Sequence, residues 1–150
     1  MMYQKILAPL DGSEIAECTL RHLKTIGTGC NVPEIVLLMV VEPVRQAYGI
    51  GEHMVRDARQ KAEDAAKDYL SRMAKDLEED GARIETVVVS GQPEEAILDY
   101  VEKNQVDLVI MSTHGRSGVS RWLLGSVAQR VANHSPVPVL MVPSPFRARG

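Results

Sequence analysis

The chain has 150 residues, of which 45% are hydrophobic and 25% are charged, a balance typical of one globular domain with an apolar core. Its formal net charge is −3, and no run of lysine and arginine is long enough to predict a nucleic-acid-binding surface. Two cysteines are too few for a disulfide framework, and no apolar run approaches the length of a membrane span, so we expect a cytoplasmic protein that binds neither nucleic acids nor membranes.

Strand and helix patterns alternate along the first third of the chain. Residues 6–9 end a short first strand, and residues 13–26 carry apolar side chains at helical spacing. Gly27 and Gly29 are the predicted stop signal of this helix. Glu34–Val41 is an almost uninterrupted apolar run, which indicates a strand buried on both faces of a parallel sheet.

The middle of the chain contains a long pattern rich in alanine and in charges, residues 52–80, followed by Gly81. A coiled coil or a partner-binding helix is the alternative to one amphipathic helix lying on a sheet. We favour the amphipathic helix because predicted strands flank it on both sides. The next strand, residues 83–89, alternates in polarity, which places it near a sheet edge.

The remaining elements repeat the same alternation. Pro93, followed by two glutamates, begins a helix that runs to about residue 104. A fourth strand is predicted over residues 106–111, a last helix over residues 126–133 and a fifth strand over residues 137–142. The order βαβαβαβαβ predicts a single doubly wound α/β domain with a five-stranded parallel sheet and helices on both faces.

Parallel sheets of this kind bind ligands beyond the carboxyl ends of their strands, where the strand order reverses. The loops available there are residues 9–13 and residues 112–126. The second loop is glycine-rich and leads into the last helix at Gly125 and Ser126. Glycine turns before a helix N-terminus present N–H groups to an anion, and Arg116 adds positive charge. A glycine-rich connection without a ligand is the alternative.

Several motifs in these loops occur together in one known family. Residues 6–13 read Ile-Leu-Ala-Pro-Leu-Asp-Gly-Ser, and residues 111–115 read Met-Ser-Thr-His-Gly. Residues 123–128 read Leu-Leu-Gly-Ser-Val-Ala, and residues 136–139 read Pro-Val-Pro-Val. Together they resemble the universal stress protein family over essentially the whole chain. The resemblance implies strand order 3-2-1-4-5, with the reversal between the first and fourth strands.

The nucleotide-binding branch of that family carries the pattern G-x-x-G, nine residues, then glycine and serine or threonine. Gly115, Gly125 and Ser126 match it, whereas Ser112 replaces the first glycine. Serine is compatible with that position if φ is negative and unfavourable if φ is positive.

The resemblance also implies a set of nucleotide-binding residues. Those matching positions around adenine and ribose are Pro9, Leu10, Asp11 and Val40. Those matching positions around the phosphates are Gly115, Gly125, Ser126 and Val127. We add Met111, Ser112, His114 and Arg116 from the same loop. A helix-capping role is the alternative for Asp11, and we favour the ligand role because Ser13 can cap the helix instead.

Catalytic and metal roles find less support in the sequence. His114 lies beside glycines with no positioned nucleophile or carboxylate, so we interpret it as a hydrogen-bonding loop residue rather than a general base. His22, His53 and His134 share no metal-ligand spacing.

The sequence favours a regulatory protein that binds ATP, or AMP or ADP, with Mg²⁺ as a counter-ion of the phosphates. A slow ATP hydrolase is one alternative, although the chain has no GxxxxGK[ST] loop. A nucleotide-independent dimeric scaffold is another. The resemblance further implies a homodimer joined through the last strand, Val139–Val142.

Overall fold

The computed structural model describes residues 3–43, 49, 51–78, 81–113 and 125–143. Its elements in chain order are β1 (Lys5–Pro9), α1 (Glu14–Glu17), α2 (Thr19–Gly29), β2 (Glu34–Val41), α3 (Glu52–Leu77), β3 (Arg83–Ser90), α4 (Pro93–Lys103), β4 (Leu108–Ser112), α5 (Ser126–His134) and β5 (Val139–Val142). The five strands are parallel and lie in the order β3-β2-β1-β4-β5. The predicted doubly wound α/β fold and its strand order are therefore confirmed.

The sheet separates two apolar layers. Helices α2 and α3 cover one face, where Leu23, Leu70 and Leu37 belong to one apolar cluster. Helices α4 and α5 cover the other face, where Ile97 and Val131 belong to the second layer. Strand β4 is buried along its whole length, as the apolar run before Ser112 predicts for a strand covered on both sides. None of the helices in the described ranges combines the length and the apolar character needed to cross a bilayer.

The predicted helix over residues 13–26 is wrong in two respects. It is divided at Cys18 into α1 and α2, and α2 continues through Gly27 to Gly29. Gly27 is buried, and a Cβ there would lie 3.1 Å from Ile35 Cδ1, so this glycine permits close packing of α2 on β2. The helix ends instead where Asn31 adopts a φ of 51°.

The amphipathic helix predicted from residue 52 forms, and α3 extends to Leu77. Its second half packs on the sheet, with Tyr69 and Leu70 among its buried residues. Its first half lies beyond the sheet, because Ala58 is exposed and Met54 is 63% exposed. The interpretation of one helix lying on the sheet is therefore correct for the second half only.

Two strands begin later than predicted. Strand β4 begins at Leu108 and includes Ser112, so its last residue belongs to the sheet rather than to the following loop. Strand β5 begins at Val139, directly after Pro138, whose carbonyl still accepts a hydrogen bond from the Val109 N–H at 3.0 Å. Because Pro138 has no N–H, it cannot donate the next hydrogen bond to β4 on its N-terminal side, and β5 therefore begins only at Val139.

Candidate functional site

A gap opens between β1 and β4 at the carboxyl edge of the sheet. The ladder between these strands ends at the pair Leu7 and Val109, although β1 continues to Pro9 and β4 to Ser112. A cavity of about 710 Å³ lies at this edge. That volume is in the range of small-molecule sites, and the position is the predicted reversal of strand order.

Pro9 explains why the gap opens there. The Leu10 N–H donates to the Leu38 carbonyl of β2 at 2.8 Å, so the neighbouring residue, Pro9, faces β4. Proline has no N–H, and the ladder to β4 therefore lacks its next donor after Leu7. The backbone chemistry of one residue thus separates the two strands where the cavity begins.

The cavity brings together most of the predicted site residues. Its lining includes Pro9, Leu10, Asp11, Val40, Met111, Ser112, Gly125, Ser126 and Val127. The other predicted residues, His114, Gly115 and Arg116, lie outside the described residues. The first loop and the described ends of the second therefore meet at one site, and the ligand roles of their residues remain predictions.

The N-terminus of α5 forms one wall of the cavity. Gly125 is its N-cap residue, with φ −58° and ψ 154°, and no side chain in the described part of the protein caps this end. The N–H groups of Ser126, Val127 and Ala128 consequently have no acceptor within the helix, and all three residues line the cavity. This end of α5 also carries the positive pole of the helix dipole, which favours an anionic group.

Ser112, which replaces the first glycine of the family pattern, fits its position without strain. It is the last residue of β4 and is 8% exposed. Among the described residues other than glycine, positive φ occurs only at Asn31 and Gln105. The backbone at Ser112 therefore does not require glycine.

Asp11 shapes the turn that follows β1. Gly12 has a φ of 84°, a conformation that favours glycine. Asp11 Oδ1 accepts hydrogen bonds from the Ser13 N–H at 2.9 Å and from the Ser13 hydroxyl at 2.5 Å. Because α1 begins at Glu14, Ser13 rather than Asp11 occupies the capping position. Asp11 thus has a structural role in the turn while also lining the cavity.

The sequence analysis missed the wall that α3 contributes. Ala62, Ala65, Ala66 and Tyr69 line the cavity on this side. Tyr69 is 8% exposed, and its buried hydroxyl lies beside the Glu17 carboxylate. Burial raises the pKa of this hydroxyl above its ordinary value, and the Glu17 carboxylate raises it further. No local pattern in the sequence marks this turn of the 26-residue α3 as a cavity wall.

Two further cavity residues, Pro93 and Ile97, come from the first turns of α4 and were also not predicted. They fill apolar positions, and nothing in their sequence distinguishes them from ordinary core residues. In the ranges that the structure covers, no group of three or more His, Cys, Asp or Glu side chains is positioned to hold a metal ion.

Comparisons with known proteins agree with this architecture. The model of the universal stress protein family matches residues 2–143. The universal stress protein MJ0577 of Methanocaldococcus jannaschii is 33% identical over 95% of this chain and 96% of its own length. The solved structure of MJ0577 superposes with a TM-score of 0.85 at 36% identity, covering 95% of this chain and 97% of the other.

Two solved structures that share the fold contain nucleotides. A universal stress protein in complex with cAMP superposes with a TM-score of 0.70 at 23% identity, covering 96% of this chain and 99% of that one. A family protein from Arabidopsis thaliana with AMP bound superposes with a TM-score of 0.68 at 20% identity, covering 94% of this chain and 92% of that one. The fold, the family motifs and the match over nearly the whole chain lead to one conclusion. The chain belongs to the universal stress protein family.

Proposed function

We propose that this protein binds an adenine nucleotide in the cavity between β1 and β4 and acts as a regulatory nucleotide-binding protein. ATP is the expected ligand, with AMP and ADP as alternatives and Mg²⁺ as the counter-ion of the phosphates. The observation that carries the proposal is the N-terminus of α5, whose first N–H groups belong to residues that line the cavity. A phosphate group supplies the acceptors and the negative charge that this end lacks.

The rest of the cavity suits the remaining parts of a nucleotide. Val40, Met111 and Leu10 provide an apolar lining that can pack against a purine. Asp11 provides a carboxylate that can accept hydrogen bonds from ribose hydroxyls. Proteins with the same fold are known in complex with cAMP and with AMP, which supports an adenine nucleotide as the class of ligand.

The experiment that tests the proposal has two steps. The purified protein is denatured, and any released nucleotide is identified by chromatography. The thermal stability of the nucleotide-free protein is then measured with ATP, ADP and AMP, with and without Mg²⁺. A ligand at about 100 times its Kd should stabilise the fold by about 2.7 kcal/mol, which corresponds to roughly 5–11 °C for a chain of this size.

The outcomes separate the alternatives. If no nucleotide is released and saturating ATP leaves the melting temperature unchanged, the proposal is wrong and the nucleotide-independent scaffold is favoured. If ATP binds and phosphate is released above background over many turnovers, the protein is a slow hydrolase rather than a regulatory binder.

We also propose that two copies of the chain associate through the outer edge of β5. This strand pairs with β4 on one side, and no further strand of the described ranges lies on its other side. Leu140 in β5 is a large apolar residue that is 37% exposed. Pairing of two such edges would satisfy the outer backbone groups and cover this side chain.

Replacement of Leu140 should weaken this dimer. We expect the parent protein to sediment as a dimer and the Leu140→Glu variant to sediment as a monomer, because the variant places two carboxylates at the shared edge. Met54→Glu is the matched control, since Met54 is 63% exposed and lies on α3, away from β5. A monomeric parent protein, or a Leu140→Glu variant that stays dimeric, would show that β5 is not the interface.

A cytoplasmic location is part of the same proposal. Cys18 and Cys30 are both unpaired, which suits a reducing compartment.

A further inference from the structure

Helix α1 is a single turn that lies directly after the Asp11 turn. It consists of four residues, Glu14–Glu17, and Cys18 separates it from α2. The Glu17 N–H donates to the Ser13 carbonyl at 3.2 Å, which closes this turn. A helix this short is unstable on its own, because the first turn fixes many backbone angles for few hydrogen bonds. Contacts with the rest of the protein therefore have to hold α1 in place.

Tyr69 of α3 provides such a contact at the end of α1. Its buried hydroxyl lies beside the Glu17 carboxylate. Burial raises the pKa of this hydroxyl above its ordinary value, and Glu17 raises it further, both through its charge and as a hydrogen-bond partner. The hydroxyl consequently keeps its proton and can donate it to a hydrogen bond with the carboxylate.

The ring of Tyr69 is itself held firmly. Tyr69 and the fully buried Leu70 belong to the apolar cluster between α3 and the sheet. The guanidinium carbon of Arg72 lies 6.0 Å from the centroid of the ring, a distance at which a cation attracts the face of an aromatic ring. The packed half of α3 therefore offers a fixed point to which the end of α1 is attached.

The beginning of α1 is connected to Asp11. Ser13 directly precedes the helix, and its N–H and its hydroxyl donate to Asp11 Oδ1 at 2.9 Å and 2.5 Å. A continuous series of contacts thus runs from Tyr69 through Glu17 and Ser13 to the Asp11 carboxylate. Asp11 lines the cavity, and its carboxylate is the group that we assign to the ribose hydroxyls.

We propose that the contact between the Tyr69 hydroxyl and Glu17 positions the Asp11 carboxylate for the ribose of the bound nucleotide. Tyr69 and Glu17 are positioning residues, which act through Asp11 and not through a contact of their own with the sugar. They restrict α1 and the turn before it in the ligand-free protein, so that less conformational entropy is lost on binding. This inference rests on the proposed nucleotide-binding function and on the ligand role of Asp11.

The test is a double-mutant cycle measured by isothermal titration with ATP. Tyr69→Phe removes one oxygen and preserves the ring, and we expect it to bind ATP about three- to tenfold more weakly, within the range for residues of one hydrogen-bond network. Glu17→Ala should lose the same factor, and the variant with both changes should lose no more than either alone. In an Asp11→Ala background, Tyr69→Phe should have no further effect.

A second ligand separates positioning from a general weakening of the cavity. 2′,3′-Dideoxy-ATP lacks both ribose hydroxyls that can donate to Asp11, so the parent protein and Tyr69→Phe should bind it equally. A general weakening would instead reduce the affinity for both nucleotides by the same factor. Glu17→Gln keeps an oxygen that accepts from the Tyr69 hydroxyl, and it should bind ATP nearly as well as the parent protein.

Tyr100→Phe is the matched control for loss of a tyrosine hydroxyl. Tyr100 is also partly buried, and burial raises its pKa as well, but it is not among the described residues that line the cavity. We expect Tyr100→Phe to bind both nucleotides with the affinity of the parent protein.

The results distinguish failure of this inference from failure of the proposed function. If the parent protein binds no nucleotide, both are wrong. If the parent protein binds ATP and Tyr69→Phe binds it equally well, nucleotide binding stands and only the positioning role is wrong. The same conclusion follows if Tyr69→Phe loses an equal factor with dideoxy-ATP or in the Asp11→Ala background, or if Asp11→Ala binds ATP normally.

Discussion

The Gly125→Val variant should lose at least about a hundredfold in affinity for ATP while keeping its fold. Gly125 immediately precedes the N–H groups of Ser126 and Val127, and a valine side chain would occupy the space that a phosphate needs. Each charge-assisted hydrogen bond lost is worth about 1.5–3 kcal/mol, so the loss of two gives a change of this size. Isothermal titration with ATP measures it.

The backbone at Gly125 makes this variant informative. Its φ of −58° and ψ of 154° are accessible to any residue, so valine introduces bulk and no backbone strain. Gly51 is a matched control, because it is the N-cap residue of α3 with φ −71° and ψ 158°, and nothing lies within 4 Å of a Cβ built on it. Gly51→Val should bind ATP normally. Normal binding by Gly125→Val would show that the phosphates do not approach α5.

Removal of the Asp11 carboxylate should lower the affinity for ATP by about ten- to a hundredfold, because one hydrogen bond from a ribose hydroxyl to a charged group is worth about that factor. Asp11 also accepts the two hydrogen bonds from Ser13, so Asp11→Ala should lower the melting temperature of the ligand-free protein as well. Titration with ATP and thermal unfolding without ligand measure the two effects separately.

A second variant separates these two roles of Asp11. Asparagine can accept the same hydrogen bonds from Ser13 through its side-chain oxygen, so Asp11→Asn should preserve the turn and the melting temperature. Its affinity for ATP should still fall, because the charge is gone. If Asp11→Ala is less stable but binds ATP normally, Asp11 is a turn residue and the ligand role predicted from the family pattern is wrong.

The sheet could be predicted from the sequence because strands that are buried on both faces consist of continuous apolar residues. Strands β2 and β4 are short apolar runs, and their alternation with helical patterns specifies a parallel sheet. The boundaries were less predictable, since they depend on tertiary contacts. Glycine is a typical helix stop, yet Gly27 lies within α2 and lets this helix approach Ile35 closely.

The site was predictable in its loops and not in its walls. The carboxyl ends of β1 and β4 meet in any sheet of this order, so their loops could be chosen before the fold was known. The α3 wall depends on which turn of a 26-residue helix reaches the sheet edge, and no local pattern encodes that. The role of Pro9 could be predicted only in part. The sequence shows that this residue lacks an N–H, but it does not show that the residue faces β4 rather than β2.

A titration of the protein with ATP, followed by amide nitrogen–proton correlation NMR, tests the central claim most directly. Binding at the cavity should shift the amide signals of Ser126, Val127 and Asp11 most strongly. The signals of Arg83 and Asp107, at the opposite edge of the sheet, should stay in place. A spectrum unchanged at saturating ATP, or shifts concentrated at that opposite edge, would contradict nucleotide binding between β1 and β4.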